Sequence, residues 1–196
     1  MARFLTLILL GMMSLACHAD AAGKGQGIMV YGKADQEIPG WAVSSSLPKG
    51  WTQDCCMYAK AIGVNLVLYQ GEWTGKPERV MVFNIWTRKL PTLADEVAAD
   101  RKQYLGRDAK ATATEITIHN QYMPCQGILY QGSDHFDDVV VFCDPGAVSG
   151  IRIGWSMSFA DADPMRRSLL DAFMQVATES KYMHYVESSP PATRKR

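Results

Sequence analysis

The sequence has no excess of either charge and no apolar run long enough to cross a membrane. Lysine and arginine together number 20, as do aspartate and glutamate, so the formal net charge is zero. Proteins that hold nucleic acid need a basic face, and this balance argues against nucleic acid as a partner. The apolar run from Phe4 to Leu15 is too short for a transmembrane helix, and no other stretch predicts a span.

The signatures of common enzymes are also missing. The chain has four histidines, and none of them forms the His-Glu-x-x-His pattern of zinc peptidases. There is no Gly-x-Ser-x-Gly elbow for a serine nucleophile and no phosphate-binding Gly-x-x-x-x-Gly-Lys-Ser/Thr loop. The sequence therefore predicts a protein that is not an enzyme and needs no cofactor.

Residues 1–21 are typical of an export signal. Arg3 precedes the apolar segment, and Ala19-Asp20-Ala21 fits the small-residue cleavage pattern. On this interpretation residues 22–186 form one domain, and the polar, proline-containing segment 187–196 is expected to be a disordered tail. The protein is then expected in the periplasm or outside the cell.

A lipoprotein signal over residues 1–16 is an alternative interpretation of the same segment. Ser14-Leu15-Ala16-Cys17 resembles a lipobox, in which Cys17 would be acylated and would anchor the protein to the outer membrane. Ser14 stands where lipoboxes usually carry an aliphatic residue. Under both interpretations four cysteines remain available for disulfides, and an even number in an exported chain favours pairing.

Two apolar runs, Cys125–Gln131 and Asp138–Cys143, flank a segment of turn formers and predict a β-hairpin. Antiparallel pairing about this turn places Cys125 opposite Cys143, within reach of a disulfide. We therefore predict a Cys125–Cys143 bond. Cys55 and Cys56 are alternative partners for these two cysteines, whereas a bond between the neighbours is the least favoured pairing because it closes only with strain.

Local patterns predict the remaining elements. Ile151 to Phe159 alternates apolar and polar residues, which is typical of a strand with one face on a core. Thr92 with Asp95 predicts a capped helix start, and Asp163 with Pro164 predicts another. Further strands are expected at Ile28–Tyr31, Trp41–Leu47, Val64–Gln70, Arg79–Trp86 and Thr112–Ile118, and a short helix at Gln53–Ile62.

This order of elements predicts an α+β fold in which helices cover an antiparallel β-sheet. Across residues 41–183 it resembles the PsbP/Mog1-like α/β/α sandwich family. The resemblance lies in the turn Leu47–Trp51, in the helix start at Leu90–Leu93 and in the strand–Asp-Pro-Gly–strand–helix finish. It implies a protein that binds or assists other proteins, because the family shares no catalytic motif.

Trp73 is the candidate residue for binding a partner, with Glu72 and Lys76 beside it. It lies in the loop between two predicted strands, among glycines and a proline. A loop tryptophan can anchor an interface, or it can fold back over its own sheet. The sequence leaves both alternatives open.

Two polar groups could carry chemistry. The turn at 133–138 contains Asp134, His135 and Asp137, which are weak candidates for metal binding, but a solvated turn explains this composition better. Asp161 and Asp163 could form a carboxylate pair for acid–base work, but helix capping accounts for Asp163.

The sequence thus predicts a non-enzymatic exported protein that binds another protein. A more specific alternative is a periplasmic immunity protein that neutralises a secreted bacterial toxin. A hydrolase without a recognisable motif is the second alternative.

Overall fold

The computed structural model describes residues 27–73 and 79–186. Cys17 and the export signal, Lys76, and the segment 187–196 lie outside the described residues, and what the sequence predicts for them stays a prediction. No helix within the described ranges is long and apolar enough to span a bilayer.

Ten strands and three helices make up the described part of the chain. The strands are β1 (Gly27–Gly32), β2 (Trp41–Ser46), β3 (Trp51–Asp54), β4 (Leu66–Gln70), β5 (Val80–Thr87), β6 (Thr112–Ile116), β7 (Cys125–Gln131), β8 (Phe136–Cys143), β9 (Ile151–Ala160) and β10 (Lys181–His184). The helices are α1 (Tyr58–Ala61), α2 (Leu93–Arg107) and α3 (Arg166–Glu179), with a 3-10 turn at Ala147–Ser149.

The strands form two antiparallel sheets. The larger sheet has seven strands in the order β3-β4-β5-β9-β8-β7-β6, and the smaller sheet has three in the order β1-β2-β10. The predicted α+β class with an antiparallel sheet covered by helices is therefore confirmed.

One face of the larger sheet carries the main core. Along β9, the side chains of Ile153, Trp155 and Met157 are buried on this face, while Arg152 and Ser156 point to the other. Helix α3 and the small sheet cover the core face, and Phe173 of α3 and Val43 of the small sheet belong to the same apolar cluster as Trp155. Alternate side chains of β9 therefore point to opposite faces of the larger sheet, and different elements cover these two faces.

Helices α1 and α2 lie on the other face of the larger sheet. The predicted capping box of α2 is present, because Thr92 accepts the N–H of Asp95 and Asp95 accepts the N–H of Thr92. No residue of α2 is fully buried. One of its contacts with the sheet is a pair of tyrosines, with the Tyr104 and Tyr130 rings stacked at a centroid distance of 3.9 Å.

The β7–β8 hairpin has the predicted register. Cys125 pairs with Cys143, Gly127 with Val141 and Leu129 with Val139. A disulfide joins Cys125 to Cys143 across the hairpin, which confirms that prediction.

Cys55 and Cys56 are bonded to each other. The alternative in which they pair with the hairpin cysteines is therefore wrong, and so is the expectation that a bond between these neighbours is the least favoured pairing. They follow strand β3 at one edge of the larger sheet, whereas β7 lies five strand positions away. At about 4.8 Å between neighbouring strands, the separation is roughly 24 Å. Cysteines whose Cα atoms lie more than about 7 Å apart cannot be bridged without moving the backbone, so the two sites cannot be joined.

Two helix predictions need correction. The segment 53–62 forms only the four-residue helix α1, because residues 51–54 pair with β4 as an edge strand instead. Helix α3 begins at Arg166 rather than beside Asp163. Asp163 accepts the N–H of Met165 at 2.7 Å and forms an ion pair with Arg79, which places it in the turn before the helix.

Candidate functional site

The outer face of the small sheet is the candidate functional site. In an antiparallel sheet, directly paired residues point to the same face. Met29 pairs with Ser44, and Ser44 pairs with Lys181 on the other side; Tyr31 pairs with Ala42, and Ala42 with Met183. These two rows form one surface, which we call the outer face.

The inner face of the same sheet explains why the outer face is left open. Ile28, Val30 and Val43 are buried in the main core. The Ser45 hydroxyl donates to the carbonyl of Val176 in α3 at 2.7 Å, which fixes the sheet on that helix. Because the inner face is already covered by the protein itself, the outer face is the one available for other contacts.

Large apolar side chains stand exposed on the outer face. Met29 is 54% exposed and Tyr31 is 59% exposed, while Ala42 between the outer strands is only 8% exposed. The Tyr31 ring stacks on Tyr185, just beyond β10, at a centroid distance of 4.9 Å. The tyrosine is thus held in place although it faces solvent, as an anchor residue of an interface would be.

A polar cavity adjoins the outer face on the side of β10. Its volume is about 690 Å³, and its lining includes Ser44, His119, Tyr122 and Lys181. The ammonium of Lys181 lies over the Tyr122 ring, 5.3 Å from its centroid. Tyr122 is itself half exposed. Polar groups therefore border the outer face on this side, as they do at the rims of protein–protein interfaces.

The size of the outer face can be judged from strand geometry. Six residues of β1 at about 3.4 Å each, and three strands at about 4.8 Å, give roughly 20 by 14 Å. The whole face therefore measures roughly 280 Å², and exposed apolar side chains cover only part of it, because Ser44 and Lys181 are polar and Ala42 is buried. A standard interface covers about 800 Å² on each partner, so a bound protein would also contact the adjoining cavity.

Trp73, the binding candidate predicted from the sequence, packs on its own domain. Its ring stacks on Tyr58 at 4.6 Å with an interplanar angle of 12°, and it meets Tyr69 edge-on at 5.4 Å. The side chain is half-buried. Glu72 beside it is exposed, and Lys76 lies outside the described residues. Trp73 is therefore first a part of the packing between α1 and β4.

The turn residues that could have held a metal have separate partners. Asp134 accepts the N–H of Phe136, His135 lies 3.1 Å from a carboxylate oxygen of Asp161, and buried Asp137 pairs with Arg166 at 2.6 Å. Within residues 27–73 and 79–186, no three His, Cys, Asp or Glu side chains are grouped to hold a metal ion.

Asp161 and Asp163 likewise have different partners. Asp161 contacts His135, and Asp163 contacts Arg79 at 3.4 Å. Each carboxylate therefore contacts its own basic side chain, and these contacts account for both residues without an acid–base pair.

A second group of carboxylates binds tyrosines under α2. The Tyr104 hydroxyl donates to Asp138 at 2.7 Å, and the Tyr130 hydroxyl donates to Asp100 at 2.6 Å. Burial raises the pKa of both phenols, and these hydrogen bonds raise it further. Both tyrosines are thus held neutral, which suits a role in attaching α2 to the sheet.

The most deeply buried charge of the described chain is also structural. Arg152 is fully buried on the α2 side of β9, where its Nη1 lies 2.9 Å from Asp144 and its Nε 3.7 Å from Glu96. Its Nη2 donates to the carbonyl of Leu90 at 3.4 Å. The guanidinium therefore connects β9, the turn after β8 and the start of α2.

Comparison with known proteins yields a structural likeness only. No protein-family model matches the chain, and no curated protein matches its sequence. The chain is similar to the solution structure of cyanobacterial PsbP from Synechocystis sp. PCC 6803, with a TM-score of 0.47 and 14% sequence identity. The match covers 86% of this chain and 99% of the other.

The likeness is to PsbP. The order of elements in the sequence resembles the same family, and the structure contains the expected antiparallel sheet flanked by helices.

Sequence reasoning missed the outer face. Ile28 to Tyr31 is apolar at every position, so alternation does not tell which side chains are covered. The four-residue strand β10, which completes the face with Met183, was not predicted at all. The available signal for the outer face was that the residues of β1 are apolar on both faces of the strand, because a strand of this kind needs a covering layer on each side.

Proposed function

We propose that this protein is a non-enzymatic, exported accessory protein that binds another protein through the outer face of its small sheet. The observation that carries the proposal is the exposure of Met29 and Tyr31 on an ordered sheet whose other face is buried. Contiguous apolar surface on a folded domain marks a site of interaction more often than chance exposure.

The composition of the face favours a protein as the ligand. Tyrosine and methionine are enriched in the centres of protein interfaces, and lysine is found at their rims. Met29 and Tyr31 lie along the edge strand β1, while Lys181 and Tyr122 lie at the opposite border of the face. The face is flat, as expected for contact with another folded surface rather than for enclosure of a small molecule.

Export supports the same proposal. The predicted signal over residues 1–21 and the disulfide between Cys125 and Cys143 both suit an oxidising compartment. An accessory protein of the periplasm would meet its partner there. An immunity protein that neutralises a secreted toxin is the narrower form of this proposal, and it differs only in the identity of the partner.

The test is a binding measurement with residues 22–196. The wild-type chain is used to capture partners from periplasmic extract and, separately, from secreted toxins. Each captured protein is then purified, and its affinity is measured by calorimetry against wild type and Tyr31→Ser. If Tyr31 is an anchor, the variant should bind at least 10-fold more weakly, equivalent to about 1.4 kcal/mol.

Met57→Ser provides a matched control. Met57 is 68% exposed but lies after β3, at the edge of the larger sheet. Met57→Ser should leave the affinity for the captured partner unchanged. A partner that binds wild type and Tyr31→Ser equally well, while both variants melt at the wild-type temperature, would contradict the proposed surface.

A further inference from the structure

The Cys55–Cys56 disulfide differs from the Cys125–Cys143 disulfide in its surroundings. Cys55 and Cys56 are both exposed, in the turn that follows β3, whereas Cys143 is fully buried in the core and Cys125 is partly buried. Exchange between a thiol and a disulfide requires that the attacking thiolate reach one of the sulfur atoms. In the folded protein, the pair at 55–56 is therefore the more accessible of the two.

Stabilisation of the fold does not explain this disulfide. A disulfide stabilises largely by closing a loop in the unfolded chain, and the effect grows with loop length. The bond between Cys125 and Cys143 spans 18 positions, whereas the bond between Cys55 and Cys56 spans one. The second bond restricts almost nothing in the unfolded chain beyond the two cysteines themselves.

The turn that carries Cys55 and Cys56 is held by other interactions. One carboxylate oxygen of Asp54 accepts the N–H groups of Cys56, Tyr58 and Ala59 at 3.2, 2.7 and 3.1 Å, and also that of Met57. Burial alone would raise the pKa of Asp54, but these backbone donors outweigh it and lower that pKa. The turn therefore has a fixed scaffold that does not depend on the sulfur–sulfur bond.

The same turn is connected to the aromatic cluster around Trp73. Tyr58 follows Cys56 by two residues, donates its N–H to Asp54 and stacks its ring on Trp73. A change in the backbone at Cys55–Cys56 would therefore occur only two residues before Tyr58, whose ring contacts Trp73. Trp73 stands where it can report that change by its fluorescence.

We propose that Cys55–Cys56 is a thiol-exchange site, which accepts two electrons from a thiol donor while the Cys125–Cys143 disulfide stays intact. The donor is a small thiol such as glutathione or a protein dithiol. In the first step a donor thiolate attacks one of the two sulfur atoms. The bond between Cys55 and Cys56 breaks, a mixed disulfide forms, and the released cysteine thiolate takes a proton from water.

In the second step another donor thiolate attacks the donor sulfur of the mixed disulfide. The donor leaves as a disulfide, and the second cysteine is released as a thiolate that is protonated. Two electrons and two protons have then moved to the chain, and two donor thiols have been oxidised to one disulfide. The reverse sequence would pass the electrons on to an oxidised acceptor.

The experiment titrates the folded chain, residues 22–196, with glutathione at graded ratios of reduced to oxidised form. Free thiols are blocked by alkylation at each ratio, and peptide mapping quantifies the alkylated fraction of each cysteine. Cys55 and Cys56 should be half alkylated at a ratio at least 10-fold lower than that required for Cys125 and Cys143. Equal reduction of the two pairs, or no reduction of 55–56 before the chain unfolds, would overturn the proposal.

A second arm replaces glutathione with a reduced Cys-x-x-Cys protein, thioredoxin, to distinguish the two kinds of donor. Reduction by either one supports the exchange site, and reduction by neither overturns it. The double variant Cys55→Ser/Cys56→Ser is the control, and it should melt within a few degrees of wild type because it lacks only the exposed bond.

The fluorescence of Trp73 tests whether the exchange changes its surroundings. Reduction should change the tryptophan emission of wild type, and Trp73→Phe should lose that change. An emission spectrum of wild type that stays constant while Cys55 and Cys56 become alkylated would refute the connection to the Trp73 cluster.

Discussion

Replacing Trp73 by alanine measures how firmly this loop residue is packed on its own domain. The ring is half-buried and contacts two other rings, Tyr58 at 4.6 Å and Tyr69 at 5.4 Å. Each such aromatic pair contributes about 0.5–1.5 kcal/mol beyond the area it buries. Loss of both pairs predicts a destabilisation of about 2 kcal/mol. That is less than the ~3–5 kcal/mol expected for an aromatic residue truncated in a full core.

Thermal unfolding followed by circular dichroism provides the measurement. For a chain of this length, 1 kcal/mol corresponds to a change in Tm of about 2–4 °C. Trp73→Ala should therefore melt about 4–8 °C below wild type. Trp73→Phe keeps an aromatic ring against Tyr58 and should recover a large part of this difference.

A variant that melts as wild type does would refute the reasoning. A change within about 0.5 kcal/mol is typical of an ordinary surface position. Such a result would mean that Trp73 is not held by Tyr58 and Tyr69. It would also restore Trp73 as the alternative anchor for a partner, which the sequence had left open.

Three further predictions test the interior. Cys143→Ala should destabilise the fold by ~2–5 kcal/mol in urea unfolding, because it opens the 18-position bridge to Cys125; an unchanged midpoint would contradict the bond. Asp144→Asn should destabilise the fold in the same assay by less than the ~3–5 kcal/mol of an uncompensated buried charge, because it removes the carboxylate 2.9 Å from Arg152 while Glu96 stays 3.7 Å away; an unchanged midpoint would contradict a role of the Asp144 charge. Tyr130 has a raised pKa in the folded state, so its contribution is complete below pH 10 and is lost as the pH rises above 10. Unfolding free energies measured from pH 8 to 11 should fall less steeply for Tyr130→Phe than for wild type, and parallel slopes would contradict the hydrogen-bonded phenol.

Local patterns predicted the parts of the fold that local interactions determine. The β7–β8 hairpin follows from two apolar runs and the turn between them, and its register places Cys125 opposite Cys143 as expected. The start of α2 follows from the reciprocal hydrogen bonds of Thr92 and Asp95, which are only three residues apart. In each case the interacting residues are close in sequence.

Pairings between distant segments could not be predicted in this way. Strand β10 is four residues long, and it exists because Lys181 pairs with Ser44 far back in the chain. Cys55 and Cys56 bond to each other because the strand order places the other cysteines several strands away. Neither the pairing of Lys181 with Ser44 nor the separation of the two pairs of cysteines can be read from the sequence around those residues.

The candidate site was missed for the same reason. Trp73 stands out in the sequence, but Tyr58 and Tyr69 cover part of its ring only after α1 has packed on β4. Met29 and Tyr31 look like core residues, and their exposure follows from the sheet that β1 joins. Residue type alone therefore drew attention to Trp73 and not to the outer face.

The position of β1 has a consequence for the behaviour of the purified protein. Among the described residues, β1 has a neighbouring strand on one side only. Its Gly27 carbonyl accepts Gln53 Nε2 at 3.4 Å, so a further strand would pair with the residues after Gly27. Its residues 28–31 carry no charge and no proline, the two features that usually prevent edge strands from pairing with each other. Two copies could thus join their small sheets edge to edge into one continuous sheet, and at high concentration self-assembly through β1 would compete with any partner that covers this strand.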